Sequence, residues 1–113
     1  MEKEETMRLV ERELARGRAA RREGNEGKVR VCARRAAGAA IAYWMRGEGG
    51  IQPPDAVGYL RALAEMPPVP APVRDAARRL SARISDQFTW KFATDPLEDS
   101  AIITTYVLKG PPG

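Results

Sequence analysis

The chain has no histidine, only one cysteine, Cys32, and few aromatic residues, which make up 6% of its 113 positions. Histidine is the commonest general base and metal ligand, so its absence excludes Ser-His-Asp triads, Cys-His pairs and zinc sites that contain histidine. A single cysteine cannot form an intramolecular disulfide, and the small apolar neighbours of Cys32 favour a buried thiol. We therefore assign no catalytic residue, no metal ligand and no cofactor from the sequence.

Long hydrophobic runs are also missing. No apolar run approaches the roughly 20 residues that span a bilayer, and the opening MEKEETMRLVERE is too charged and too acidic for a secretion signal. We expect a cytoplasmic protein with no membrane association. A chain of 113 residues is long enough for one shared hydrophobic core and too short for two ordinary ones. Residues 1–113 are therefore predicted to form a single helical domain.

The charge is moderately positive, with a net charge of +4 and a pI of about 9.6. Of the 19 basic residues, 15 are arginine. A positive surface attracts nucleic acid. The richness in arginine, alanine, glycine and proline is also typical of a genome that favours arginine codons. Composition alone leaves both interpretations open.

A first helix is predicted over residues 3–23, because Met7, Val10 and Leu14 recur at three- and four-residue intervals. Its first turn is acidic, as the helix dipole prefers. The pattern stops at residues 24–27, where the side-chain oxygen of Asn25 is suited to accept a hydrogen bond at the start of the next helix.

The second helix is predicted over residues 26–46 and is the centre of the expected fold. Its apolar residues form one continuous side, made of Val29, Cys32, Ala33, Ala36, Ala37, Ala40, Ile41 and Trp44. Short side chains let a neighbouring helix approach towards the lower end of the usual range of 8–10 Å between axes. Gly38 lowers helix propensity by roughly 1 kcal/mol relative to alanine, which makes it an expected point of close contact. We therefore place this helix in the middle of a bundle.

Two shorter helices are expected next. Asp55 is suited to cap the first, whose inward residues are Tyr59, Leu60 and Leu63. The prolines of MPPVPAP, residues 66–72, predict a rigid corner between helices, and a proline-rich recognition peptide is the alternative. The next helix begins at Pro72. One side carries Val73, Ala76, Ala77, Leu80 and Ile84, and the other carries Arg74, Arg78, Arg79 and Arg83.

The tail allows two interpretations. QFTWKFAT alternates aromatic and polar residues, and AIITTYV is rich in β-branched residues, so a C-terminal β-hairpin is one possibility. The stretch Asp95-Pro96-Leu97-Glu98 instead resembles a helix start. We favour an extended segment near residues 87–94 followed by a helix over 96–108. The carboxylates of Asp95, Glu98 and Asp99 suit that helix start, and a divalent metal site is the alternative.

These elements predict an all-α, up-and-down bundle of four to five helices. A central helix of the form VxxCARRAAGAAIxYW, a capped short helix after a proline-containing loop and a closing DPxEDSxxIxxYV resemble the HEPN superfamily over roughly residues 5–108. The resemblance implies a compact helical bundle that often dimerises. Many such proteins are ribonucleases of toxin–antitoxin or defence systems, and others are non-catalytic companions of nucleotidyltransferases. The nuclease members carry an arginine followed four to six residues later by histidine, and this chain cannot complete that motif.

The expected function is a non-catalytic, homodimeric interaction module, as the possible companion of a nucleotidyltransferase or of a toxin–antitoxin-type partner. Arg35, Gly38 and Trp44 are the candidate interface residues. Arg35 is expected to border the interface. Arg34 is expected to lie nearer the solvent side, together with Arg30.

The alternative function is nucleic-acid or nucleotide binding by the arginine-rich faces of the first, second and fourth helices. From Arg8 to Arg35 the chain has ten basic and four acidic residues. Three pairs of arginines stand one helical turn apart, so each pair is able to contact phosphates from a single face. The pairs are Arg18 with Arg22, Arg30 with Arg34, and Arg74 with Arg78.

Overall fold

The computed structural model of the protein describes residues 2–46, 52–82 and 94–109. These residues form five α-helices and no strand. The helices are α1 (Lys3–Arg22), α2 (Glu26–Met45), α3 (Ala56–Ala64), α4 (Ala71–Ser81) and α5 (Pro96–Lys109). The predicted all-α bundle is confirmed. None of these helices has the length and the apolar character that crossing a membrane requires.

The helix ends form where short-range chemistry favours them. Gly24, with a φ of 77°, ends α1 in the left-handed conformation that glycine adopts at little cost. The Asn25 amide then donates to the Ala20 carbonyl at 2.8 Å, and the Asn25 side chain accepts from the Lys28 amide at 3.1 Å. Asp55 caps α3 in the same way, accepting from the Gly58 amide at 2.8 Å. Both predicted N-caps are confirmed.

Helix α2 lies at the centre of the bundle and contacts each of the other four helices. Its predicted apolar side is buried from Val29 to Ile41, and Trp44 is half-buried. Trp44 packs edge-on against Tyr106 of α5, with the ring centres 6.0 Å apart. Around the alanines of α2 the other helices and the α3–α4 connection contribute larger side chains: Val10, Leu60, Leu63, Val69, Val73, Leu80, Ile103 and Val107.

Gly38 provides the close contact that its position in α2 predicted. A Cβ atom at this position would lie 2.7 Å from the Ala56 Cβ and 2.9 Å from the Ala56 Cα. The first turn of α3 therefore rests directly on the backbone of α2. Because the obstruction includes backbone atoms, a side chain at position 38 has no room unless α3 moves.

Polar contacts fix α5 against its neighbours. Asp99 is fully buried and accepts from Arg79 of α4, at 2.8 Å to Nη2 and 3.2 Å to Nε, and from the Thr94 hydroxyl at 3.2 Å. The Ser100 hydroxyl donates to the Ala33 carbonyl of α2 at 2.8 Å. The charge on Asp99 is thus paired and hydrogen-bonded, which a buried carboxylate requires.

Several expectations need correction. Met7 does not belong to the packed side of α1, since it is 40% exposed and the buried stripe is Thr6, Val10, Glu13, Gly17 and Ala20. The hairpin alternative is wrong, because AIITTYV lies within α5. Ile84, Arg83 and most of the extended segment expected near 87–94 lie outside the described residues.

The Gly38 contact gives a test of the bundle centre. Gly38→Ala should lower the free energy of unfolding by about 1–3 kcal/mol, because the new methyl group forces α3 away from α2. Gly27→Ala is the matched control in the same helix: the nearest atom to its Cβ is Arg30 Nη2 at 3.7 Å, an ordinary contact. That variant should be neutral or more stable by up to about 1 kcal/mol. Urea denaturation measures both, and equal effects would contradict the packing described.

Candidate functional site

The predicted arginine pair on α1 lies on the surface. Arg18 and Arg22 are both exposed, and neither has an acidic partner among the described residues. Arg21, between them, is instead occupied by Asp95 of α5 and by Glu26 of α2. The hydrogen bond to Asp95 is the main cause that raises the pKa of Arg21. The two flanking arginines thus keep their guanidinium groups available.

A groove runs beside this pair, between α1 and α5. It has a volume of about 470 Å³ and is lined by Leu14, Arg18, Arg21, Arg22, Asp95, Leu97, Glu98 and Ala101. The Leu97 side chain forms the floor of this groove and packs directly against Gly17. A Cβ atom added at Gly17 would lie 2.6 Å from Leu97 Cδ2. Farther along the same seam, a second opening of about 270 Å³ is bordered by Lys3, Met7, Glu11, Leu108 and Lys109, among others. The seam therefore has an apolar floor with charged groups along its edges.

The second pair, Arg30 with Arg34, is not on the solvent side as expected. Arg30 is only 5% exposed, and its Nε finds no hydrogen-bond partner in the described part of the chain. Arg34 is half-buried and donates to two backbone carbonyls at the C-terminal end of α4, with 2.8 Å to Leu80 in the last turn and 2.9 Å to Ala82 just after it. Burial, and secondly the charge of Arg30, lower the pKa of Arg34.

The third pair is divided between two roles. Arg78 bonds Asp75 at 2.9 Å and the Ala64 carbonyl at 2.9 Å, so it joins α4 to the end of α3. Arg74 is half-buried, with a buried Nε that has no hydrogen-bond partner among residues 2–46, 52–82 and 94–109. The structure thus places Arg18 and Arg22 on one surface. Arg30 is buried and Arg34 is half-buried, and Arg78 mainly stabilises the fold.

The candidate interface residues on α2 do not form one patch. Arg35 is exposed, whereas Gly38 is buried against Ala56 of the same chain. Trp44 is half-buried against Tyr106. Gly38 is thus in contact within the chain, and Arg35 is the member of this set that lies open to a partner.

Cys32 is 1% exposed, which confirms the predicted buried thiol. It lies next to Gly17 of α1. Burial, followed by the nearby charge of Glu13, raises the pKa of the Cys32 thiol. A raised pKa leaves less thiolate at neutral pH, which lowers nucleophilicity. The structure therefore holds Cys32 as a packing residue.

The acidic residues near the start of α5 are engaged in structural contacts. Asp99 pairs with Arg79, and Asp95 accepts from the Leu97 amide at 2.9 Å and from Arg21. Among the described residues no group of three or more cysteine or acidic side chains is placed to hold a metal ion. The helix-start interpretation accounts for Asp95, whereas Asp99 is held by Arg79 of α4.

Sequence reasoning missed two features of this surface. One is the α1–α5 groove, which depends on how two helices distant in sequence diverge. The other is the burial of Glu13 on α1, 6% exposed, because a glutamate in an arginine-rich stretch predicts a solvated position. The sequence did contain an indication that Glu13 is buried, because it falls at helical spacing with the other buried residues of α1: Thr6, Val10, Gly17 and Ala20.

Comparison of the chain with protein-family models, with curated proteins and with solved structures gives no match. The resemblance to the HEPN superfamily therefore stays a prediction.

The burial of Cys32 predicts slow thiol chemistry. The aromatic disulfide reagent DTNB should label Cys32 in the native protein only through opening of the α1–α2 contact, so labelling should accelerate steeply with urea. The double variant Val31→Cys, Cys32→Ala is the control, because Val31 is the adjacent position and is 42% exposed. It should react at the rate of a free thiol. Comparable rates for the two proteins without urea would contradict the buried position.

Proposed function

We propose that the protein is a homodimeric interaction module in which two copies associate through α1 in antiparallel fashion, with each α1 lying over the α1–α5 groove of the other copy. One observation carries the proposal: along one side of α1 the exposed acids Glu4 and Glu11 precede the exposed bases Arg18 and Arg22, beside a groove with an apolar floor. Such a side is complementary to itself when two copies run in opposite directions.

The floor of the groove is apolar. Met7 is 40% exposed, and Leu14 and Leu97 are only partly buried. These side chains line the two openings along the seam between α1 and α5. A second helix over the seam would remove this apolar surface from water, at about 25 cal/mol for each Å² buried.

The charges along α1 set the direction of the partner. The exposed residues Glu4 and Glu11 precede Arg18 and Arg22 along one side of the helix. In an antiparallel pair centred between Glu11 and Ala15, Glu4 of one copy lies opposite Arg22 of the other, and the pair occurs twice because of the two-fold symmetry. A parallel pair would place like charges against each other.

The helix dipole offers a second explanation for this charge order, because it favours acidic side chains at the start of a helix and basic side chains at its end. The dipole acts on the first and last turns whatever side of the helix a charge occupies. It accounts for Glu5, on the far side of α1, as well as for Glu4. The dimer depends on Glu4 and not on Glu5, which makes the two explanations separable.

The predicted outcome of charge reversal is specific. Glu4→Arg and Arg22→Glu, taken singly, should each weaken the dimer by about tenfold or more, since each creates two like-charge contacts in every dimer. The double variant restores opposite charges at both sites and should recover most of the affinity. Sedimentation equilibrium, or size-exclusion chromatography with light scattering over a concentration series, measures the dissociation constants.

Glu5→Arg is the matched control, because it makes the same charge change one residue away on a side that faces away from the groove. It should leave the dissociation constant within about twofold. A wild-type protein that stays monomeric at high micromolar concentration would overturn the proposal. A double variant no better than the two single variants would overturn the antiparallel register.

A second candidate function is binding of single-stranded nucleic acid by Arg18 and Arg22, favoured by their exposure and by the lack of acidic partners within the described segments. The double variant Arg18→Gln, Arg22→Gln should then reduce the slope of log affinity against log salt by about 1.4, because each lost phosphate contact contributes about 0.7. Fluorescence anisotropy with a labelled oligonucleotide measures the slope. No binding at low salt would remove this candidate.

A further inference from the structure

Arg30 is the least satisfied charged group in the described structure. It is 5% exposed, it has no ion pair among residues 2–46, 52–82 and 94–109, and its Nε is buried without an acceptor. The other buried charged side chains, Glu13 and Asp99, both have an arginine partner. A buried charge without a partner costs several kcal/mol in a protein interior, so Arg30 requires an explanation.

Arg34, one turn farther along α2, increases the positive charge at this position. Its Nε and Nη2 are fixed by the carbonyls of Leu80 and Ala82, so the guanidinium is held in one orientation. Neither arginine forms an ion pair with an acid of the described residues, and burial, followed by the charge of Arg30, lowers the pKa of Arg34. The repulsion between the two groups is therefore part of the native structure.

The backbone adds positive potential near Arg30. The Arg30 side chain lies back along α2, with Nη2 3.7 Å from where a Cβ on Gly27 would be. This is the first turn of α2, where the helix dipole is positive. The acid of that turn, Glu26, is directed to Arg21 at 3.3 Å. Arg30 thus lies beside the start of α2 with no acidic partner among the described residues, and Arg34 lies one helical turn away.

We propose that Arg30, Arg34 and the first turn of α2 form a binding site for a phosphate group, supplied by inorganic phosphate or by a small phosphorylated molecule. Guanidinium groups pair with phosphate through charge-assisted hydrogen bonds, and helix N-termini favour the same ligand. A phosphate carries up to two negative charges and several acceptor oxygens, so it offsets both arginines, whereas a carboxylate offsets one.

The test is thermal unfolding in sodium phosphate and in sodium chloride, at equal pH and ionic strength. Phosphate should raise the Tm of the wild-type protein by about 6 °C at ten times its dissociation constant, relative to chloride. Isothermal titration calorimetry with inorganic phosphate should give one site per chain. A nucleoside monophosphate titrated in parallel distinguishes the sources: tighter binding than inorganic phosphate assigns the site to a phosphorylated molecule, and equal binding assigns it to the free ion.

Arg30→Met keeps much of the aliphatic volume and removes the charge. In chloride its Tm should equal or exceed that of the wild-type protein, because an uncompensated buried charge is lost. The same variant should show no response to phosphate. Arg35→Met is the matched control, since it removes an exposed arginine from the same helix and should keep the full phosphate response.

Two results would overturn the site. One is a wild-type Tm and calorimetric titration that do not distinguish phosphate from chloride. The other is a larger Tm shift with acetate than with phosphate, which would assign the pair to a carboxylate. These readouts do not depend on dimerisation, because the charge-reversal positions on α1 are separate from Arg30 and Arg34.

Discussion

The close approach of helices to the alanine side of α2 is the constraint on which the rest of the structure depends. Four helices contact α2: Gly17 of α1 lies next to Cys32, the first turn of α3 lies against Gly38, and Ser100 of α5 bonds the Ala33 carbonyl. Because the short side chains leave little volume of their own, the core is filled from outside by leucine, isoleucine and valine of the neighbouring helices. The positions of α3 and α5 are thus fixed by the backbone of α2, at Gly38 and at the Ala33 carbonyl.

This constraint also explains which parts of the fold were predictable from sequence. The caps at Asn25 and Asp55 depend on atoms three residues away, and the buried side of α2 depends on helical spacing. Both features could therefore be predicted from the local sequence. Met7 was misassigned because α1 meets α2 through small and polar residues such as Gly17 and Thr6. Hydrophobicity does not mark a packed side when the partner helix requires small residues.

The candidate sites were less predictable because they depend on distant contacts. Nothing near Arg34 in sequence indicates that the carbonyls of Leu80 and Ala82 will hold it. The burial of Arg30 has the same origin, since its surroundings are assembled by other helices. The α1 surface is the opposite case: the exposure of Arg18 and Arg22 follows from their place on an outer side of α1, and the sequence predicted their spacing correctly.

Arg21 joins three places in the chain, since it reaches Glu26 just after its own helix and Asp95 at the start of α5, 74 residues away. During synthesis the first two helices are made before α5. Until then Arg21 has its local partner alone, and the Ala33 carbonyl has no hydroxyl to accept from. The part of the alanine-lined side of α2 that α5 covers therefore stays open until α5 has been made.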